Sequence, residues 1–209
     1  VPGLVPAMSD LLTQEKAKEA SRAEFFETPP MAIDAICRVL EIPPKRLEPC
    51  AGDAAIIRGV NRSQPAGSWD AWELREHCRP TLEASASSVV IGDALALAHT
   101  AETYAYDIVM TNPPFSLAFD LVKALWHVAP YILFLLRNDF IATQERSAWM
   151  KTHEPDLYYL DRRPSFDGSG KTDQYEFAWF LWHTRSPSRV EGKHRHLNTK
   201  AQDGQGELL

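Results

Sequence analysis

Five short apolar runs punctuate the middle of the chain, and each ends in residues that do not continue a strand. They are RLEPCAGDA from Arg46, SWDAWELRE from Ser68, SSVVIGDAL from Ser87, YDIVMTNPPF from Tyr106 and YILFLLRNDF from Tyr131. Runs of this length, closed by Gly, Pro, Asn or Asp, carry the signature of β-strands. Helix-period stretches lie before and between them. PPMAIDAICRVLEI places Ile33, Ile36, Cys37 and Leu40 at helical spacing, and SDLLTQEKAKEASRAEFF predicts a helix beginning at the candidate cap Ser9. Strands alternating with helices predict an α/β fold whose mostly parallel sheet is covered on both faces. Ligands of such sheets bind beyond the C-terminal ends of the strands, so all five endings are expected to face one cleft. Further on, QYEFAWFLWHT alternates as a closing strand does.

A chain of 209 residues, 44% of them hydrophobic, suffices for one such domain. The stretch from Val190, VEGKHRHLNTKAQDGQGELL, is polar and has no apolar period. The expected organisation is an N-terminal helix or flexible arm over 1–22, one folded domain over 23–185 and a disordered polar tail over 186–209. Nothing approaches the ~18 apolar residues of a membrane span, and VPGLVPAMSDLL lacks the basic start and apolar run of a signal peptide, which predicts a soluble, intracellular protein. Cys37, Cys50 and Cys78 are isolated, and His77, His99, His127, His153 and His183 show no ligand spacing, so neither a disulfide framework nor a metal site is suggested. A net charge of −6 argues against coating nucleic acid by bulk electrostatics and leaves room for a local groove.

Two of the five endings restrict the backbone most. In TNPPF, Pro113 and Pro114 lack N–H donors and hold φ near about −65°, so Asn112 and Phe115 are presented on a rigid loop. In LEPCAGDA, Gly52 has no Cβ, which permits a sharp strand-to-helix turn against which a ligand can lie.

Together, LEPCAGDA and, some sixty residues later, TNPPF resemble the paired motifs of the S-adenosylmethionine-dependent amino methyltransferases, within them the N6-adenine DNA methyltransferases and especially the small phage-type enzymes. FFETPP is similar to that family's cofactor-contacting Phe and Thr-Pro segment, here Phe26, Thr28 and Pro29. RRPSFDGSGKTDQYEFAWFLW resembles the final loop and hairpin of the phage-type members. The resemblance implies a class I, Rossmann-like methyltransferase fold with a terminal antiparallel hairpin, a catalytic domain over 23–185, and a place in the cytoplasm of a bacterial or phage-infected cell.

It also implies roles. The methionine part of S-adenosylmethionine would lie near Glu48, Pro49, Ala51 and Gly52, with Asp53 beside it; the family often has a second glycine where this chain has Ala54. Glu73, ending the second strand, would accept hydrogen bonds from the ribose hydroxyls. Asp93 would take the amino group of the cofactor's adenine, and Ala94 would leave room for the ring; an Asp after a strand is also a common helix cap. An exocyclic base amine is a poor nucleophile because its lone pair is delocalised. The amide oxygen of Asn112 and the carbonyl of Pro113 would each accept one N–H, aiming that lone pair at the sulfonium methyl, while Pro114 holds the loop and Phe115 stacks on the target ring. Phe166 is a candidate second wall of the base pocket, and Lys171, in a loop with Gly168 and Gly170, could contact a phosphate.

The expected partner is DNA, through a flipped or single-stranded adenine. Nothing sizeable lies between the two motifs to read sequence, which predicts short or relaxed specificity. Alternatives on the same tetrapeptide are an RNA base, cytosine N4 or a protein glutamine, or a noncatalytic binding protein that keeps the fold.

Overall fold

A computed structural model describes residues 27–166, 173–186 and 194–197. Pro30 opens helix α1 (Pro30–Cys37), where its missing N–H costs nothing. The helix stops at Cys37, three residues short of Leu40. There follow β1 (Lys45–Glu48), α2 (Ala55–Ser63), β2 (Ser68–Glu73), α3 (Arg79–Glu83), β3 (Ser88–Ile91), α4 (Ala94–Thr100), β4 (Ile108–Thr111), α5 (Ala118–Ala124), β5 (Tyr131–Arg137), α6 (Gln144–Met150), β6 (Asp156–Leu160), β7 (Phe177–His183) and β8 (His194–Leu197).

The strands form one eight-stranded sheet in the order β3-β2-β1-β4-β5-β7-β6-β8. All pairings from β3 to β5 are parallel, and β7 runs antiparallel to both β5 and β6. The α/β expectation holds. The chain winds outward from β1 to β3 and then returns to β4 on the other side of β1, so the two loops that follow β1 and β4 diverge at a switch point.

Alternation along the strands divides the core. On one side Met110, Leu133, Leu135, Trp179 and Leu181 pack with Ile33 and Ile36 of α1 and Ile56, Ile57 and Val60 of α2. On the other, Val109, Ile132, Phe134, Phe180 and Trp182 pack with Ala98 of α4, Leu121 and Val122 of α5 and Met150 of α6. α2 approaches α1 closely at Gly59, where a Cβ would stand 2.7 Å from Ile33 Cγ2. At the end of the sheet away from the C-terminal loops, the buried Arg46 guanidinium donates to the carbonyls of Ile42, Pro43, Gln64 and Ala66. No helix among the described residues is long and apolar enough to cross a membrane.

Two sequence expectations change. QYEFAWFLWHT is no closing edge: β7 sits inside the sheet, with Phe177 to Trp182 buried on both faces. Each such Leu or Phe side chain contributes roughly 1.5–3 kcal/mol by leaving water, so an interior place is favoured. Within 186–209, expected to be disordered, His194–Leu197 forms β8, paired in parallel with β6, and Leu197 is buried. The edge of β6 would otherwise present unpaired backbone groups, and four residues suffice to cover them.

Candidate active site

The C-terminal ends of β3, β2, β1 and β4 enclose a cleft of about 760 Å³, mouth included. In that spatial order they bring Asp93, Glu73, the Gly52 loop and Asn112 to its wall. Thr28, Glu48, Pro49, Ala51, Asp53, Ala94 and Pro114 also line it. Pro29 instead caps α1, and Pro113 is buried behind the loop. Phe26 and Lys171 lie outside the described residues, as do the Ser9 helix and Gly168 and Gly170.

The loop after β1 turns through two left-handed residues, Gly52 (φ 51°) and Ala54 (φ 62°). Ala54, fully buried at the start of α2, thus adopts the conformation that glycine takes most easily. Gly52 N–H donates to Glu73 Oε2 at 2.7 Å, and Ala51 N–H donates to the Trp72 carbonyl at 3.0 Å. Glu73 Oε1 accepts from the Arg75 backbone N–H at 2.9 Å and from its Nε at 2.7 Å. A carboxylate has about four acceptor positions, so Glu73 organises its neighbours as well as facing the cleft.

Glu48 lies at the cleft floor with Oε2 buried and without a partner among the described residues. Loss of water, and then the negative charge of Glu73, hold its carboxyl well above the usual carboxylate range. Burial likewise pushes the Cys50 thiol up, so it behaves as an inert small side chain. Asp93 accepts from the N–H groups of Leu95 and Ala96 and caps α4.

Phe115 turns away from this cleft. With Ser116 it lines a second concavity of about 810 Å³, open mouth included, shared with Arg137, Asp139, Thr143 and Arg146. The fifth strand ending therefore serves this second space, and the expectation that all five face one cleft is corrected: β5 lies beyond β4, on the far side of the TNPPF loop. Phe115 packs 5.8 Å from Phe177, and Phe166 lies 4.9 Å from the same ring without lining either concavity. The Arg137 guanidinium lies over Phe115 at 4.3 Å and over Tyr175 at 3.9 Å. Neither Arg75, Arg137 nor Tyr175 carries a signal in the sequence beyond its place at a strand end or in a loop. Among the described residues no group of three or more His, Cys, Asp or Glu side chains could hold a metal.

The sequence matches no protein-family model and no curated protein. Solved structures do match. A proposed class I S-adenosylmethionine-dependent methyltransferase from Listeria monocytogenes superimposes with a TM-score of 0.55 at 11% identity, covering 90% of this chain and 71% of that one. The fold is that of the class I methyltransferases. The 23S rRNA methyltransferase ErmE shares this methyltransferase fold with a TM-score of 0.56 at 16% identity, over 76% of this chain and 69% of its own. TrmK of M. capricolum, in complex with S-adenosyl-homocysteine, gives a TM-score of 0.53 at 7% identity, over 73% and 67%.

Proposed function

We propose that this chain transfers a methyl group from S-adenosylmethionine to the N6 amino group of adenine in DNA, with short or relaxed sequence specificity. One observation carries the reading. The Asn112 to Phe115 loop straddles two spaces, with Asn112 and Pro114 on the first cleft and Phe115 on the second.

The first cleft suits an elongated nucleoside sulfonium. Across it, Asp93 and Ala94 would hold the adenine, Glu73 the ribose, and Glu48, Pro49, Ala51, Gly52 and Asp53 the methionine part, with Thr28, buried in the lining, beside them. Glu48 supports the fit, since its buried Oε2, without a partner among the described residues, is left to accept from an ammonium group, whose positive charge would draw the carboxyl to its ionised form. The bound cofactor supplies an electrophilic methyl beside Asn112.

The residues of the tetrapeptide then do the rest. Phe115 stacks on an extruded base, with Phe166 and Lys171 assigned to the same side. The Asn112 amide oxygen and the Pro113 carbonyl accept the two amine N–H groups and draw the nitrogen toward tetrahedral geometry. The prolines keep these acceptors fixed, so little reorganisation accompanies transfer. Transfer would be a direct displacement in which the N–CH3 bond forms as the S–CH3 bond breaks, leaving S-adenosylhomocysteine and releasing the extra amine proton to solvent, with no covalent enzyme intermediate.

An RNA base is the second reading, favoured by the rRNA methyltransferase among the structures that share the fold. Incubating the chain with labelled S-adenosylmethionine and DNA, RNA or protein in parallel, followed by mass spectrometry of nucleosides and peptides, tests both. N6-methyladenine in DNA is expected. Its absence there, with modified nucleosides in RNA, would replace the first reading by the second; cytosine N4 or glutamine methylation would overturn both, and failure to bind the cofactor would leave a noncatalytic protein.

A further inference from the structure

Six arginines among the described residues are held by carboxylates or carbonyls. Arg58, Arg62, Arg75, Arg79 and Arg162 each pair with a carboxylate, and Arg46 is saturated by carbonyls. Arg137 and Arg146 both line the second concavity, and neither forms an ion pair among the described residues. Arg137 Nε is buried without a hydrogen-bond partner among the described residues, and Arg146 donates through Nη1 to the Phe140 carbonyl at 3.1 Å. Ser116 and Thr143 add hydroxyls, and Asp139 is the single carboxylate on the described lining. A guanidinium held between two rings and without a carboxylate partner among the described residues, on a protein of net charge −6, suits an anionic ligand.

We infer that the second concavity is a phosphodiester-binding ledge, in which Arg137 and Arg146 hold the nucleic-acid backbone flanking the target nucleotide. The inference rests on the nucleic-acid reading of the site and adds residues to it that the motifs do not contain. Geometry supplies the logic. Arg137 stands over one face of the Phe115 ring, so a phosphate held by its guanidinium lies within a nucleotide's reach of a base that meets the part of that ring the guanidinium leaves uncovered. Its aliphatic stem and the Tyr175 ring keep the group in place, which limits the entropy lost on binding. Arg146 is held over the Phe140 ring at 4.8 Å and is similarly preorganised.

The test uses the full chain and a short fluorescent single-stranded DNA containing one adenine, with affinity followed across a range of salt concentrations. Each phosphate contact contributes about −0.7 to the slope of log affinity against log salt for single strands. Arg137→Met and Arg146→Met keep the apolar stems and remove the charges, so each should flatten the slope by about that amount, and the double variant by about twice as much. Arg137→Lys keeps the charge and should keep the slope. Calorimetric affinity for S-adenosylmethionine should stay at the parental value in all four, which also shows that the variants are folded. Parental slopes in both Met variants would overturn the ledge while leaving the proposed reaction standing. A parent that binds the cofactor but neither DNA nor RNA, or that prefers an acidic peptide, would overturn the nucleic-acid reading and the ledge together.

Discussion

Gly52 and Glu73 are joined by a 2.7 Å hydrogen bond from the glycine N–H to Oε2, which ties the loop after the first strand to the end of the second. The register places Glu48 opposite Ala71, so the loop leaving β1 must lean over the end of β2, and Glu73 is positioned to catch it. Gly52 can offer its N–H in this direction because its φ of 51° suits a residue without a Cβ. The same carboxylate fixes Arg75, and the pair is well buried: the Glu73 side chain is 4% exposed and that of Arg75 21%.

Replacing Glu73 by Gln removes the charge and turns one of its oxygens into a donor facing either Gly52 or Arg75. Hydrogen bonds to charged groups contribute about 1.5–3 kcal/mol each. Glu73→Gln should therefore lower stability by about that amount and weaken S-adenosylmethionine binding more than tenfold, as read by urea denaturation and calorimetry. A loss below about 0.5 kcal/mol would show that the loop holds itself in place.

Glu48 makes stability fall as pH rises. Its folded-state carboxyl titrates well above its ordinary value of 4.5, because burial and then Glu73 oppose the charge. The folded chain thus holds a proton that the unfolded chain releases. The contribution to stability is full below 4.5 and is lost progressively as pH climbs through the folded value. Glu48→Gln should remove this decline, so its urea midpoint relative to the parent should rise between about pH 5 and about pH 8. Parallel curves for the two proteins would mean that Glu48 is ionised in the folded state.

Asn112→Ala removes an acceptor whose value grows as the target amine becomes positive. Comparable preorganised groups contribute about 2.7–4 kcal/mol, or about 100- to 1000-fold in rate. Single-turnover methylation should slow by at least that factor, with cofactor affinity nearly unchanged. Parental rates would leave Asn112 as a turn residue.

Much of the site was legible because its residues announce themselves locally. A proline pair after Met110 and Thr111, a glycine after Ala51 and an aspartate after Gly92 each break a strand within a few positions, and the structure puts Asn112, Gly52 and Asp93 on one wall. The positions of β6 and β8 were not legible. DLYYL is short and begins with an acid, and HRHL lies in a polar stretch; each becomes a strand through the neighbour it pairs with.

The sequence by itself determined roughly where the parallel strands lie and which turns follow them, because alternation and backbone restriction act over a few consecutive bonds. Tertiary structure decided what those turns share. The insertion of β7 between β5 and β6, the bond from Gly52 to Glu73 across 21 residues, and the partition that gives Asn112 one space and Phe115 with Arg137 another all depend on pairings between distant segments. No local period encodes such pairings. They arise as the strands bury their apolar side chains and most buried polar groups find partners, which depends on the fold as a whole.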